Sequence, residues 1–157
     1  MAVKPFLIVA SLALASICVD RAALAQGTEQ PTQCEKVSLA TPWLAWGNAG
    51  ISATSTQEIS IGQPYALELR PANKGPAFEG AFRFNVKAGG TFRFALESAA
   101  WIDVVEGAST LKPKSFGHGP TCSGIRKIVD FDLAPGTYSI RVTKSAKPKI
   151  KLLAISG

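Results

Sequence analysis

From residue 82 onward the chain alternates apolar and polar residues with period two, which commits it to strands that bury one face. Phe82, Phe84 and Val86 alternate with Arg83, Asn85 and Lys87; after Ala88-Gly89-Gly90, Phe92, Phe94 and Leu96 alternate with Arg93, Ala95 and Glu97. This pattern predicts an antiparallel hairpin with its phenylalanines on one face and its charges in water. Further strands are expected over residues 58–61, 65–69, 101–105, 127–133, 137–143 and 150–155, the Ala134-Pro135-Gly136 turn joining two of them. Seven to eight short strands at this spacing indicate an all-β chain, an antiparallel β-sandwich or jelly-roll-like body. The longest stretches without alternation are 40–56, 71–80 and 107–125.

The start of the chain reads differently. Lys4, an apolar run from Phe6 to Ile17 and an Ala23-Leu24-Ala25 cleavage site form a secretory leader, with Gln26 as the new N-terminus. The run is shorter than the roughly 20 residues a spanning helix needs, and Asp20-Arg21 interrupts it, so no transmembrane segment is expected after processing. Lipidation at Cys18 is disfavoured by Ile17, where such signals carry a small residue. The expected organisation is a leader at 1–25, an irregular segment at 26–57 and a sandwich domain at 58–157, placed in the periplasm or secreted. Losing Lys4, Arg21 and Asp20 with the leader lowers the net charge of +6 to +5, a modest and scattered excess. Lys144, Lys147, Lys149 and Lys151 cluster around Pro148, as expected of an edge strand guarded against pairing.

Cys34 and Cys122 survive processing, and in an oxidising compartment an even pair most simply joins as a disulfide. That bond ties the N-terminal segment to the loop before Arg126. The competing reading is a metal site of His118, Cys122 and Cys34, for which copper(I) or another transition metal would suit two thiolates and an imidazole. With the cysteines bonded, no cofactor is expected.

Two resemblances follow from particular segments. Phe82-Arg83-Phe84-Asn85-Val86-Lys87-Ala88-Gly89-Gly90-Thr91 and Leu133-Ala134-Pro135-Gly136-Thr137-Tyr138-Ser139-Ile140-Arg141-Val142 resemble the bacterial pre-peptidase C-terminal type of β-sandwich. That resemblance implies a non-catalytic accessory or binding module outside the cytoplasm, although here it would be the whole processed protein and lacks the acidic clusters that hold calcium in some such domains. Trp101-Ile102-Asp103-Val104-Val105 and the segment from Gly117-His118-Gly119 to Ile125-Arg126-Lys127 are similar to small exported proteobacterial proteins, some of which bear the name homogentisate dioxygenase. A mononuclear non-haem iron site of that kind wants two histidines and a carboxylate, and this chain has one histidine.

Candidate site residues gather around His118, set between two glycines. Asp103 shares a strand face with Trp101 and could orient His118 or pair with Arg126 or Lys127. Ser115, His118 and Asp103 supply the residue types for nucleophilic catalysis, but there is no Gly-x-Ser-x-Gly elbow. Glu97, Asp103, Glu106, Asp130 and Asp132 offer no distinctive carboxylate pair for glycosidase chemistry. Trp43 and Trp46 are a ligand platform or a cap on one open end of the sandwich. Core-type spacing of Phe82, Phe84, Phe92, Phe94 and Phe131 speaks against base stacking and a nucleic-acid partner. The expected protein is a non-enzymatic binding or accessory module of the bacterial envelope, whose binding residues are drawn from His118, Asp103, Trp43, Trp46, Trp101 and Arg126. Its partner would be an envelope ligand such as an anionic glycan or a protein; a periplasmic metal-binding protein using His118 with Cys122 and Cys34, and then a small hydrolase or oxygenase, are the alternatives.

Overall fold

A computed structural model describes Cys34 and residues 39–157. The leader and its cleavage site lie outside the described residues. After a short 3-10 turn at Leu44–Gly47, eleven strands follow: β1 (Ile51–Thr54), β2 (Pro64–Glu68), β3 (Arg70–Pro71), β4 (Phe78–Val86), β5 (Gly90–Leu96), β6 (Trp101–Glu106), β7 (Ser109–Thr110), β8 (Ser115–Gly117), β9 (Lys127–Leu133), β10 (Gly136–Ser145) and β11 (Lys149–Ser156). They form a six-stranded sheet, β1-β2-β11-β5-β9-β8, and a five-stranded sheet, β3-β4-β10-β6-β7. The pair β1–β2 is parallel and every other strand pair is antiparallel. This is a β-sandwich.

The alternation buries one face of each sheet against the other. Phe82, Phe84, Ile102, Val104, Tyr138 and Ile140 come from the five-stranded sheet; Phe94, Leu96, Phe131, Ile150 and Leu152 come from the six-stranded one. Phe84 meets Phe94 edge-on across the layers at 5.4 Å between ring centroids, and Phe94 meets Phe131 of its own sheet edge-on at 5.8 Å. Each such ring, removed from water, contributes about 1.5–3 kcal/mol.

Both turns expected to close hairpins do something else. β4 pairs with β3 and β10, and β5 pairs with β11 and β9, so the turn between β4 and β5 carries the chain from one sheet to the other. The turn between β9 and β10 is likewise an arch between layers, tied by the Tyr138 hydroxyl donating to the Ala134 carbonyl at 2.9 Å. An arch and a hairpin both keep two alternating strands' apolar residues inward, so periodicity alone does not separate them. Three other expectations change. Residues 58–61 make only an isolated bridge, Glu58 with Arg83, whereas β1 lies within the stretch expected to be irregular. The lysine cluster does not guard an edge, because β11 is an inner strand between β2 and β5.

β11 also explains how Trp43 and Trp46 come to be buried. Ile150, Leu152 and Ala154 face the main core, while Leu153 and Ile155 point out the other side, where with Ala95 they form a second apolar cluster. Trp43, Trp46 and Ile125 cover that patch, with Leu39, Ala45 and Ile128 packed around it. Cys34 and Cys122 are joined as a disulfide across 88 residues of sequence, their Cα atoms 5.3 Å apart. Lys151 completes the attachment. Its Nζ donates to the carbonyls of Trp46 and Asn48, both at 2.6 Å, and lies 5.0 Å from the centre of the Trp46 ring. Trp43 and Trp46 are thus buried, and they cover an outer sheet face rather than an open end of the sandwich.

Candidate binding groove

β7 is short and pairs only with Val105 and Glu106 of β6. The earlier part of β6 is left without a neighbouring strand on that side among the described residues, and a groove of about 520 Å³ opens there between β6 and β8. Ala99, Ile102, Pro113 and Val129 supply its apolar lining. Trp101 and Phe116 are its aromatic walls, 53% and 81% exposed. His118, Arg126 and Lys127 are the titratable side chains that line it, and no carboxylate does. A concave, mostly apolar site with a few convergent polar groups is the usual form of a ligand pocket, and this volume lies within the usual range of about 300–1,000 Å³.

The Trp101 wall is held in place by local structure. Trp101 Nε1 donates to Asp103 Oδ1 at 3.1 Å, and Asp103 Oδ2 is paired with Arg141 on β10 at 3.3 Å. Asp103 therefore braces the indole, and its ion pair goes to Arg141 rather than to Arg126 or Lys127. Lys127 Nζ lies 5.0 Å from the Trp101 ring centre and donates to the Ala100 carbonyl at 3.2 Å. Burial pulls the Lys127 ammonium below its ordinary range, partly offset by the nearby Asp103 charge. Lys144 approaches the same ring at 5.6 Å. It sits at positive φ where the β10 register shifts between Val142 and Ser145, a bulge that re-aims the side chain.

The loop between β8 and β9 forms the remaining rim. His118 Nδ1 is 2.8 Å from the Arg126 carbonyl. Because a carbonyl only accepts, that nitrogen carries the proton, and in the neutral ring Nε2 is left as an acceptor. A Cβ added to Gly119 would come within 2.6 Å of the Ile125 carbonyl oxygen, so the loop's two limbs touch at a place only glycine permits.

The sequence candidates thus divide between two places. Trp101, Asp103, His118 and Arg126 come together at the groove. Trp43, Trp46, Cys34 and Cys122 belong to the covering segment over the outer sheet face. Ser115 donates to Asp130 at 2.8 Å, while His118 and Asp103 are each bonded elsewhere, so these three do not form a hydrogen-bonded relay. With their sulfurs bonded to each other, Cys34 and Cys122 have no thiolate to offer a metal, and the copper reading would require the reduced chain. No cluster of three or more metal-ligating side chains occurs among the described residues. Phe116 escaped the sequence reading. Its one signal was a large aromatic in a glycine-, proline- and lysine-rich stretch with no alternating apolar partners.

No family model matches the chain, and no curated protein matches it in sequence. Among solved structures, the pre-peptidase C-terminal domain of a collagenase from Bacillus anthracis is similar to it at 14% identity and a TM-score of 0.41, over 68% of this chain and 99% of that one.

Proposed function

We propose that the protein is an exported, non-enzymatic binding or accessory module and that the groove between β6 and β8 is its ligand site. One observation supports this reading above the others: an apolar groove walled by two exposed aromatic rings whose charged lining is exclusively cationic. Such a lining favours a ligand with an apolar body and an anionic group. The body would displace water from Trp101 and Phe116, and the anion would face Arg126 and Lys127. The leader and the disulfide support an extracytoplasmic setting.

The groove can be probed with 8-anilinonaphthalene-1-sulfonate, an aromatic anion whose emission rises when it leaves water. Saturable binding to the folded protein is expected, weakened at least tenfold in Trp101→Ala and in Arg126→Glu. Urea unfolding curves of both variants should stay close to the parent's, because both side chains are exposed. Equal affinity in parent and variants would refute the assignment.

A further inference from the structure

We infer that the groove's natural occupant is an extended peptide segment with acidic side chains, docked by adding a strand to the free edge of β8. This rests on the groove being the ligand site and goes further by naming the partner. β8 lies at the end of the six-stranded sheet, paired with β9 on one side and with no strand on the other among the described residues. An unpaired edge presents backbone donors and acceptors to any extended chain, and proteins usually blunt it with proline or lysine. Ser115-Phe116-Gly117 contains neither, Pro113 and Lys114 standing just before the paired residues, whereas β3, at one edge of the other sheet, itself ends on Pro71.

Register places the groove beside that edge. Phe116 stands directly opposite Val129, an inward-facing core residue, so the Phe116 ring lies on the inner side of the sheet. A strand added to β8 would run about 4.8 Å further out and direct every second side chain to the side where Phe116, Trp101 and Ile102 line the groove. Main-chain bonds to β8 would give affinity, and the alternate side chains would give selectivity. The charge of the lining selects the partner. His118, Arg126 and Lys127 face the groove with no carboxylate among them, and Lys144 stands over Trp101, so acidic side chains on the incoming strand would be complementary. A second copy of this chain would bring a like-charged groove to the same edge, which disfavours edge-to-edge pairing with itself.

The test uses the full processed protein and a library of blocked octapeptides in which apolar residues alternate with glutamate, each competed against 8-anilinonaphthalene-1-sulfonate. Members of the library are expected to displace the probe, to lose at least tenfold in affinity when glutamate becomes lysine, and to lose binding when alternate backbone amides are N-methylated. Phe116→Ala should weaken the peptides at least tenfold. Strand addition is overturned if N-methylated peptides bind as well as their parents. It is also overturned if the probe binds in a Trp101-dependent way and dodecanoate displaces it while no peptide does, an outcome that leaves the groove a site for small amphiphilic anions. Failure of the probe itself to bind would count against the groove.

Discussion

Lys151→Met isolates the contact that fastens the covering segment to the sandwich. Methionine keeps most of the stem's packing and removes only the ammonium. That group makes two short hydrogen bonds, to the carbonyls of Trp46 and Asn48, and stands over the Trp46 ring. A charge-assisted hydrogen bond is worth about 1.5–3 kcal/mol net where water is excluded. The bond to Trp46 is partly buried and the bond to Asn48 is exposed, so the first is taken at about 1.5 kcal/mol and the second at about 0.5 kcal/mol, with roughly another 0.5 kcal/mol for the cation–π contact of the half-buried lysine with the Trp46 ring. The expected destabilisation is about 2–3 kcal/mol. For an ordered domain of this size that corresponds to a fall in Tm of roughly 10 °C. Urea and thermal unfolding followed by tryptophan emission provide the measurement, and amide exchange at Trp46 should quicken at least tenfold. A double-mutant cycle with Trp46→Leu adds the decisive comparison, since the two substitutions share one contact and should be non-additive by at least 0.5 kcal/mol. A change below about 0.5 kcal/mol for Lys151→Met, or full additivity in the cycle, would refute the reasoning.

Other outcomes follow from the same geometry. Gly119→Ala should destabilise the protein by about 1–3 kcal/mol, because the added methyl meets the Ile125 backbone oxygen and cannot be relieved by rotating a side chain; a urea midpoint equal to the parent's would contradict it. Stability should fall as pH drops through the carboxylate range. A hydrogen bond from Lys114, then one from Thr91, holds Asp132 below its ordinary pKa, and hydrogen bonds from Ser52 and then Lys149 do the same for Glu68. Both folded-state values are depressed, so the unfolded chain takes up protons first, and the stabilisation present at neutral pH is lost as pH falls toward the folded values. Urea midpoints between pH 7 and pH 3 should show this, with a flatter profile in a variant carrying Asp132→Asn and Glu68→Gln.

Strand positions were legible in the sequence because burial on one face writes itself as alternation. β9 begins and ends where the pattern does, and β10 and β11 extend only slightly past it. Pairing was not legible. Whether Phe84 and Phe94 are neighbours within a sheet or partners across two sheets depends on where the turn at residues 88–90 sends the chain, and both outcomes bury the same rings. β1 escaped because Ile51-Ser52-Ala53-Thr54 is short and carries one buried side chain, Ala53. The two faces of β11 show a similar limit. Leu153 and Ile155 break strict alternation because their side of the sheet is covered too, and the tryptophans of that cover lie more than a hundred residues earlier in the chain. At the groove, Trp101, Asp103, His118 and Arg126 stood out as residue types, but their juxtaposition depends on β7 stopping short, which no local pattern encodes.

That juxtaposition also makes the disulfide relevant to binding. The loop between β8 and β9 serves two faces of the molecule. Cys122 and Ile125 belong to the covering layer, and the Ser123 carbonyl accepts a hydrogen bond from Trp46 Nε1 at 3.0 Å, whereas His118 and Arg126 line the groove. Gly119 packed on Ile125 and His118 bonded to the Arg126 carbonyl join the two halves. Replacing Cys34 and Cys122 together by serine removes a cross-link over an 88-residue separation, which the chain-entropy model values at about 4–5 kcal/mol if the whole domain unfolds as one unit. The main core, drawn from residues between Ala53 and Ala154, includes neither Cys122 nor Ile125 of the disulfide loop, so the double variant should still fold. Its loop, however, would lose an anchor, and the groove would have to be ordered by the ligand at a cost in affinity. Binding of 8-anilinonaphthalene-1-sulfonate, measured well below the variant's unfolding temperature, should therefore weaken at least fivefold with far-UV circular dichroism unchanged. Unaltered affinity in a variant shown to be folded would mean that the groove is shaped by β6, β8 and β9 alone and that the covering layer serves stability only.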